Sequence, residues 1–523
     1  MSRTADSAGD GRRRAAGVLL PLFSLRGARD WGIGEIGALP ALCRWLADAG
    51  HRLLQLLPIV EMSLGERSPY AALTAFAIDP IYLSLGEVED FVAAGGEAAL
   101  GAALEQARRQ PGIDYDAVRA VKRRALELAF TRFVTTEWDT GSARAESFRR
   151  FRTAEAAWLD DYALFRACQE RHGGQAWTTW EPGLRDRLPA SLADARAVLE
   201  RERLFHEYVQ WLAADQWAAA RQAASAAGVR LKGDLPFMVS SNSADVWSRQ
   251  EEFARDMSLG APPDAFNAEG QDWGLPPHRW DVMMRSDFAW LRARARRAAA
   301  LFDAFRLDHV VGFYRQYVIV PGGTRGFDPP DEAEQQSLGQ RILELVRAET
   351  GPTQVIGEDL GVVPPFVRRS LTELGIAGYR VLRWEERDGA FRDPTAYPAV
   401  SVATSGTHDT SSLATWWDEE LGPEGRRALA DVPSLAALRH EGAAFTPTVH
   451  AALLDGLYAA GSDLVVIPFQ DAYGGRERTN VPSTVGPTNW AYRMPWSLAE
   501  LAGTPGNELR DRLRVLAGRH ARR

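Results

Sequence analysis

Short apolar segments recur eight times along the chain, and most of them follow a stretch of helical pattern. Turn-forming or polar residues bound each segment, which indicates buried β-strands. The predicted strands span residues 17–25, 52–60, 229–239, 302–313, 353–360, 376–384, 399–409 and 463–471. Strand and helix alternating through eight rounds predict an α/β fold, a (β/α)8 TIM barrel with helical insertions. Because strand order is not encoded in this pattern, a doubly wound open sheet is the structural alternative.

Two connections between the predicted strands are too long for a simple crossover. Residues 61–228 have mostly helical patterns, and we assign residues 85–205 to an inserted helical subdomain. Residues 240–285 are rich in Gly, Pro and aromatic residues, which predicts an active-site lid, since long ordered loops tend to be functional. Residues 1–16 are polar and basic and predict a disordered tail, so that the catalytic barrel spans residues 17–523.

Composition argues against several classes of partner. The net charge of −8 does not favour nucleic acid, which requires a clustered basic face. We interpret the one arginine run, RARARR at 292–297, as a solvated helix face. No stretch of eighteen apolar residues predicts a membrane span. Cys43 and Cys168 lack the spacing of a zinc or redox site, so we expect buried thiols in a cytoplasmic protein.

Three acidic residues lie at the C-terminal ends of predicted strands: Asp308, Glu358 and Asp409. Parallel α/β sheets present their chemistry at that end, so we expect one shared site. Carboxyl groups without a cysteine or lysine nucleophile indicate acid/base and nucleophilic chemistry on an acid-labile bond. A glycosidic bond is the leading candidate.

The neighbours of these carboxyl groups fit such chemistry. Arg306 shares a strand face with Asp308, since side-chain direction has a period of two, and its charge would keep Asp308 ionised. A purely structural ion pair is an equally good explanation of that pair alone. Like charge from Asp359 and an apolar wall would raise the pKa of Glu358, as a general acid requires.

Metal and cofactor sites are disfavoured by the motifs. The pairs Asp308-His309 and His408-Asp409 could ligate a metal, but the chain contains no HxH or HExxH sequence. We therefore predict neither a metal nor a cofactor, and His309 and His408 could instead donate hydrogen bonds to sugar hydroxyls. The GxGxxG in WGIGEIG (31–37) does not directly follow a strand, so its glycines more plausibly shape a loop than bind a dinucleotide.

The chain contains 17 tryptophans. Core packing explains any single one, but an excess in loop-like segments is typical of proteins that hold sugar rings on flat aromatic faces. The tryptophans in such segments are Trp247, Trp273, Trp280, Trp416, Trp417 and Trp490.

Motifs spread over nearly the whole chain resemble those of the 4-α-glucanotransferases of glycoside hydrolase family 77, also called amylomaltases or disproportionating enzymes. The motifs are LLPLFSLRGARDWGIGEIG, SPYAALTAFAIDP, KGDLPFMVSSNSADVW, GAPPDAFNAEGQDWG, FRLDHVVGF, IGEDLG, GTHDT and ERTNVPSTVGPTNW. The resemblance implies transfer of an α-1,4-glucan segment to the 4-hydroxyl of an acceptor glucose or glucan. It also implies malto-oligosaccharides as partners and a covalent glucosyl-enzyme intermediate, with net retention and reacting carboxyl groups roughly 5 Å apart.

The resemblance further implies roles for individual residues. Asp308 would be the nucleophile, Glu358 the acid and then the base, and Asp409 the carboxylate that binds hydroxyls of the distorted sugar. Arg306 would orient Asp308, and His408 would bind the same sugar ring. The other substrate-binding positions implied in this way are Tyr70, Asp234, Gln271, Trp273 and Asn480.

Two positions depart from the family pattern and bear on acceptor binding and loop closure. Ser483 in NVPST replaces a usual glycine, and Leu275 in WGLP replaces the asparagine that many members carry. Chain-length preference is therefore not implied by the resemblance. A glucan hydrolase that uses the same carboxylates is the nearest alternative. A non-catalytic glucan-binding barrel is a further alternative, although we would expect it to have lost a carboxylate.

Overall fold

Eight parallel strands form a closed barrel in the computed structural model, which describes residues 14–263 and 269–523. The barrel strands are β1 (Ala15–Leu19), β2 (Leu53–Gln55), β3 (Arg230–Leu235), β4 (Ala304–Leu307), β5 (Gln354–Gly357), β6 (Gly378–Val381), β7 (Ser401–Thr404) and β8 (Leu464–Pro468). Their order in the sheet is β6-β7-β8-β1-β2-β3-β4-β5. A parallel bridge between Ile356 and Ala377 joins the two ends. The predicted barrel is thus confirmed, and the open sheet is excluded.

Each predicted strand overlaps a barrel strand, and the observed strands are shorter than predicted. All residues of β1, β7 and β8 are buried. Continuous burial is expected where one strand face fills the barrel and the other packs on helices. The chain enters the barrel at Ala15, where Ala15 and Ala16 pair with β8, so ending the tail at residue 16 was wrong. The rest of that tail prediction, residues 1–13, lies outside the described residues.

Helices surround the barrel and fill the long connection between β2 and β3. The α-helices are Leu39–Asp48, Glu89–Ala93, Ala102–Arg108, Tyr115–Phe133, Ala143–Arg171, Pro182–Arg185, Pro189–Val198, Glu200–Ala226, Ala244–Ser248, Trp280–Arg285, Ala289–Leu301, Glu332–Thr350, Pro365–Glu373, Leu413–Thr415, Pro423–Ala430, Pro447–Tyr458, Phe469–Tyr473, Leu498–Leu501 and Thr504–Arg519. Helices Ala143–Arg171 and Glu200–Ala226 pack on each other. Helix Glu200–Ala226 continues past residue 205, the predicted end of the helical subdomain. The bounds 85–205 therefore stay a prediction. Within the described ranges, every helix is too short or too polar to cross a bilayer.

The predicted lid region contains part of a small antiparallel sheet that the sequence pattern did not reveal. Its strands, in spatial order, are Gln271–Leu275, Ser258–Ala261, Gln316–Ile319 and Arg325–Asp328. The last two follow β4 in the chain, so the lid region is tied to the connection that leaves Asp308. Residues 264–268 of the lid lie outside the described residues.

The arginine run at 292–297 is not simply a solvated face, and that interpretation was wrong for two of its members. Arg294 and Arg297 are three residues apart on helix Ala289–Leu301, and both turn inward to donate hydrogen bonds to backbone carbonyls. Arg292 and Arg296, four residues apart, turn outward and pair with Glu349. Positions three or four apart share a helix face, which explains this division.

Most of the tryptophans in loop-like segments belong to the core. Trp247, Trp280, Trp416 and Trp417 are each at most 5% exposed, so their interpretation as sugar-binding surfaces was wrong. Their size explains it, because a buried indole removes a large apolar area from water. Trp490 is also buried, but it packs against Tyr70.

Two smaller expectations also have structural outcomes. Cys43 and Cys168 are both buried free thiols, as predicted. In WGIGEIG, a Cβ atom at Gly34 would lie 1.9 Å from the carbonyl oxygen of Leu22. A larger residue at Gly34 is therefore excluded by close packing of the loop, in agreement with a loop-shaping role for this glycine.

Candidate active site

The three carboxyl groups predicted from the sequence leave the barrel at the C-terminal ends of its strands. Asp308 directly follows β4, and Glu358 directly follows β5. The backbone N–H of Asp308 donates to Leu235 O at 3.1 Å, and that of Glu358 donates to Leu307 O at 3.0 Å. These bonds continue the parallel ladder, so both carboxyl groups lie at the same end of the barrel. Asp409 lies in the loop after β7.

Arg306 joins two of these carboxyl groups inside the barrel mouth. Its Nη2 atom lies 2.8 Å from Asp308 Oδ1 and 3.8 Å from Glu358 Oε2. Both carboxyl groups therefore lie beside the same guanidinium nitrogen. The carboxylates of Asp234 and Asp308 outweigh burial and raise the pKa of Arg306 well above its ordinary value. The guanidinium stays charged at any physiological pH.

Asp308 is held at both oxygens but remains accessible. Its Oδ1 atom contacts Arg306, while its Oδ2 atom accepts a 3.3 Å hydrogen bond from the backbone N–H of Phe237. Its side chain is 23% exposed, compared with 8% for Arg306. A ligand in the barrel mouth can therefore reach Asp308.

Glu358 lies in an environment that favours its protonated form. Burial raises its pKa to about 8, despite the opposing charge of Arg306, and the nearby Asp308 adds to the rise. Its Oε2 atom accepts a 2.8 Å hydrogen bond from the His309 backbone, and Oε1 accepts one of 3.1 Å from Leu360. At neutral pH this group carries a proton that it can give to a ligand.

Asp359, the expected source of like charge, has a smaller influence on Glu358 than burial does. Its own carboxylate faces β6, where Oδ1 accepts a 2.6 Å hydrogen bond from the backbone of Tyr379. Arg380 lies 3.3 Å from its Oδ2 atom. Asp359 therefore has structural partners of its own, and burial is the larger cause of the raised pKa of Glu358.

Asp409 is ionised and is held by two polar side chains. Asn480 Nδ2 donates to its Oδ1 atom at 2.6 Å, and His408 Nε2 lies 3.3 Å from its Oδ2 atom. Burial alone would raise its pKa, but the attraction of His408 and the hydrogen bonds outweigh it and lower the pKa to about 2. The side chain is 40% exposed, more than that of either Asp308 or Glu358.

Tyr70 connects the Asp409 loop to the Arg306 cluster. Its ring stacks on His408 with centroids 5.1 Å apart, and its hydroxyl donates to Asp234 Oδ2 at 2.8 Å. Asp234 Oδ1 in turn contacts Arg306 Nη1 at 2.7 Å. The three carboxyl groups thus belong to one connected network. The Asp234 side chain is completely enclosed, so its influence on a ligand would pass through Tyr70 or Arg306.

The lid reaches this network through Trp273. Its indole meets the His309 ring edge-to-face, with centroids 5.1 Å apart, and its Nε1 atom donates to Gln271 Oε1 at 3.0 Å. Burial lowers the pKa of His309 to about 4, so its ring is neutral at physiological pH. Gln271 therefore holds Trp273, and Trp273 packs on His309, the residue that directly follows Asp308.

Two residues that the sequence did not single out support the loop that carries His408 and Asp409. Arg383 donates to Ser411 Oγ at 2.9 Å and to the carbonyl oxygens of Ser405 and Ser411. The buried carboxylate of Asp471 accepts from Ser405 Oγ and from the backbone of Leu413. Neither residue lies in a recognisable motif, and only their position beside predicted strand ends hinted at a role. Among the described residues, no group of His, Cys, Asp and Glu side chains is arranged to hold a metal ion.

Comparison with known proteins supplies the family. A sequence model described as 4-alpha-glucanotransferase, glycoside hydrolase family 77, matches residues 20–499. The chain belongs to this family. It is 33% identical to the 4-alpha-glucanotransferase of Thermus thermophilus over 523 residues, which covers 96% of this chain and 98% of that protein. It is 32% identical to that of Chlamydia pneumoniae over 503 residues, or 93% of this chain and 92% of that protein.

Solved structures agree with this assignment. An amylomaltase from Streptococcus agalactiae, in complex with acarbose, superposes with a TM-score of 0.81 at 25% identity, covering 98% of this chain and all of that one. The Corynebacterium glutamicum amylomaltase shares the fold, with a TM-score of 0.79 at 24% identity over 96% of this chain and 75% of that chain. The family, the barrel and the class of enzyme inferred from the sequence, a 4-alpha-glucanotransferase, are confirmed.

Proposed function

We propose that this glucanotransferase performs its reaction, a retaining double displacement on α-1,4-glucans, with Asp308, Glu358 and Asp409. The observation that carries this proposal is the Arg306 Nη2 atom, which contacts both Asp308 and Glu358. Asp308 lies 2.8 Å from this fixed cation, whereas Glu358 lies farther from it and is buried, with its pKa raised to about 8. An ionised nucleophile beside a protonated acid is what the first step of this reaction needs.

In the first step, the Asp308 carboxylate attacks the anomeric carbon of the bound glucan. The glycosidic C–O bond breaks, and its oxygen receives the proton of Glu358 as the reducing-end part of the glucan departs. The product is a glycosyl ester on Asp308 together with an ionised Glu358. The charge of Arg306 stabilises this new carboxylate, which lies 3.8 Å from Nη2.

In the second step, Glu358 acts as a base towards the 4-hydroxyl of an acceptor sugar. The hydroxyl oxygen attacks the anomeric carbon, the ester bond to Asp308 breaks, and Glu358 regains its proton. Two successive inversions leave the new bond in the α configuration. Asp308 returns to the carboxylate that pairs with Arg306.

Asp409 and His408 would bind the sugar at the reaction centre. Asp409 is ionised and is the most exposed of the three carboxylates, so it can accept hydrogen bonds from sugar hydroxyls. Hydrogen bonds to these hydroxyls that strengthen in the transition state supply several kcal/mol in glycosidases. Tyr70 and Asn480 would keep His408 and Asp409 in the required orientation.

Transfer instead of hydrolysis requires that water be kept from the glycosyl ester. The lid strand Gln271–Leu275 reaches the carboxyl groups through Trp273 and His309, and we propose that it covers the intermediate. The related S. agalactiae structure contains acarbose, which supports an oligosaccharide ligand for this chain. Malto-oligosaccharides and longer α-1,4-glucans are the proposed donors and acceptors.

Incubation with maltotriose tests this proposal. The wild-type chain should release glucose and form longer oligosaccharides, whereas a hydrolase would give only shorter products. Asp308→Asn should abolish turnover and leave glucan binding, measured by calorimetry, nearly unchanged. Asp303→Asn is the matched control, because Asp303 precedes the same strand at its other end, where it pairs with Arg221. Turnover by Asp308→Asn at the rate of this control would remove Asp308 from its role.

A further inference from the structure

A buried arginine outside the barrel mouth is directed at the loop that supports Asp308. Arg294, on helix Ala289–Leu301, is 5% exposed. Its Nη1 atom donates a 3.0 Å hydrogen bond to Phe237 O, and its Nη2 atom donates to Pro236 O. The Trp290 ring, one turn earlier, lies 5.2 Å from the guanidinium carbon. Burying a guanidinium is costly, so this geometry calls for a function.

One peptide group connects this arginine to the proposed nucleophile. The carbonyl of Pro236 and the N–H of Phe237 belong to the same amide. The carbonyl accepts from Arg294, and the N–H donates to Asp308 Oδ2 at 3.3 Å. Hydrogen bonds in series polarise one another, so the guanidinium strengthens the donor that Asp308 receives. The other oxygen of Asp308 is held directly by Arg306.

We propose that Arg294 is a positioning residue that fixes Asp308 through the Pro236–Phe237 peptide. Arg306 and this peptide together orient both carboxylate oxygens towards the anomeric carbon. The same arrangement stabilises the carboxylate that leaves when the glycosyl ester is broken. This inference rests on the proposed role of Asp308 as the nucleophile.

If Arg294 only anchored the loop around Phe237, the loop would depend on this arginine for its position. The Phe237 ring is already packed against His278, His309 and Phe313, with centroid distances of 5.6, 5.4 and 5.1 Å. These contacts hold the loop in place without Arg294. Loss of the arginine should therefore alter the orientation and polarisation of one peptide more than the position of the loop.

The helix itself offers a matched control. Arg297, three residues after Arg294, has a side chain that is only 10% exposed, and it donates to a backbone carbonyl, that of Phe76 at 3.0 Å. Arg297→Ala should therefore cost about as much thermal stability as Arg294→Ala, without touching the Asp308 peptide. We expect kcat for maltotriose disproportionation to fall about 10- to 100-fold in Arg294→Ala, with KM within about twofold of wild type. The kcat of Arg297→Ala should stay within about twofold of wild type.

Chemical rescue adds a measurement that a structural role would not move. Millimolar guanidinium should restore part of kcat in Arg294→Ala and nothing in Arg297→Ala. Arg294→Lys, which keeps the charge and can reach one carbonyl, should have an intermediate kcat and carries the test if the alanine variant does not fold.

A kcat of Arg294→Ala or Arg294→Lys equal to that of wild type would overturn the proposal. Equal losses of kcat in Arg294→Ala and Arg297→Ala would also do so. Asp308→Asn in the same assay separates the two ideas: if it is inactive while Arg294→Ala is fully active, only the positioning role fails.

Discussion

The backbone N–H of His309 donates a 2.8 Å hydrogen bond to Glu358 Oε2. His309 has a φ of 46°, in the left-handed region that non-glycine residues seldom adopt. This conformation directs the N–H towards the proposed acid, while the imidazole ring packs on Trp273 of the lid. The position of the lid and the geometry of Glu358 are thus joined at a single residue. Such strained positions cluster at functional sites, where the surrounding structure maintains them.

The pH dependence of the reaction should follow the ionisation of Glu358. Because its pKa is about 8, the acid is protonated at neutral pH and loses its proton above pH 8. We expect kcat/KM to fall about tenfold per pH unit on the alkaline side. A stopped assay of glucose release from maltotriose between pH 6 and 10 measures this. In Glu358→Gln the activity should be lost at every pH. A wild-type kcat/KM that does not fall above pH 8 would contradict the assignment of Glu358 as the acid.

The same ionisation predicts a pH-dependent stability difference between wild type and Glu358→Gln. The pKa is raised on folding, so the folded chain holds a proton that the unfolded chain releases above pH 4.5. The contribution of Glu358 to the free energy of unfolding is therefore complete below pH 4.5, and it decreases as the pH rises towards 8. Glutamine does not titrate, so the Tm of the variant should exceed that of wild type at pH 8, and the gap should close near pH 4.5. A gap that is constant with pH would argue against a buried, protonated Glu358.

Loss of the Tyr70 hydroxyl should weaken the link between the Asp409 loop and the Arg306 cluster. Tyr70→Phe removes one donor from the enclosed Asp234 carboxylate, which costs about 1–3 kcal/mol of folding stability. We expect kcat/KM to fall about tenfold, because Arg306 loses part of its fixed environment. The control is Tyr314→Phe, which removes a 2.8 Å hydrogen bond to Ser370 away from the site. If the fall in kcat/KM for each degree of Tm lost is the same in Tyr70→Phe and Tyr314→Phe, the hydrogen bond of Tyr70 to Asp234 has no catalytic role.

Trp273 should control the partition between transfer and hydrolysis. Trp273→Ala removes the ring that packs on His309, so water should reach the glycosyl ester more easily. The expected result is a higher ratio of hydrolysis to transfer, by about 5- to 50-fold, in product profiles from maltotriose. Phe327→Ala is the control, since Phe327 packs on Tyr317 in the same small sheet. An unchanged product ratio in Trp273→Ala would contradict the role of this strand as a water barrier.

The departure from the family pattern at Ser483 should carry a conformational cost. Its φ is 59°, a value that glycine adopts freely and serine does not. Ser483→Gly should therefore stabilise the chain by about 0.5–1 kcal/mol, after allowance for the greater flexibility of glycine in the unfolded state. Thermal unfolding measures this gain. Val485→Gly, two residues later and fully exposed, should give no such gain.

The barrel was predictable because its signal is local. Each strand is a short apolar run that ends in polar residues, and the alternation with helices leaves few folds to consider. The ends of β4 and β5 likewise pointed to Asp308 and Glu358, since parallel sheets present their chemistry at the C-terminal ends of their strands. Arg306 was found from the strand period alone.

The lid sheet and the inward arginines were not predictable, because their contacts are distant in sequence. Ser258–Ala261 contains little apolar alternation, and it becomes a strand through pairing with Gln316–Ile319. Arg294 and Arg297 carry no mark that distinguishes them from Arg292 and Arg296. The orientation of the helix turns Arg294 and Arg297 towards the carbonyl groups of Pro236, Phe237 and Phe76, which lie far away in sequence. The amide of Phe237 is a backbone donor and leaves no trace in the residue pattern.

The bridge between Ile356 and Ala377 makes one seam of the barrel thinner than its neighbours. Across the described strands, β4 and β5 are joined by four residue pairs and β6 and β7 by another four, but β5 meets β6 at this single bridge. We expect the amide proton of Gly357, which bonds to Ala377 O, to exchange with deuterium sooner than those of the other barrel strands. Glu358 is the next residue, so local opening of this seam on heating would inactivate the enzyme while most of the fold persists.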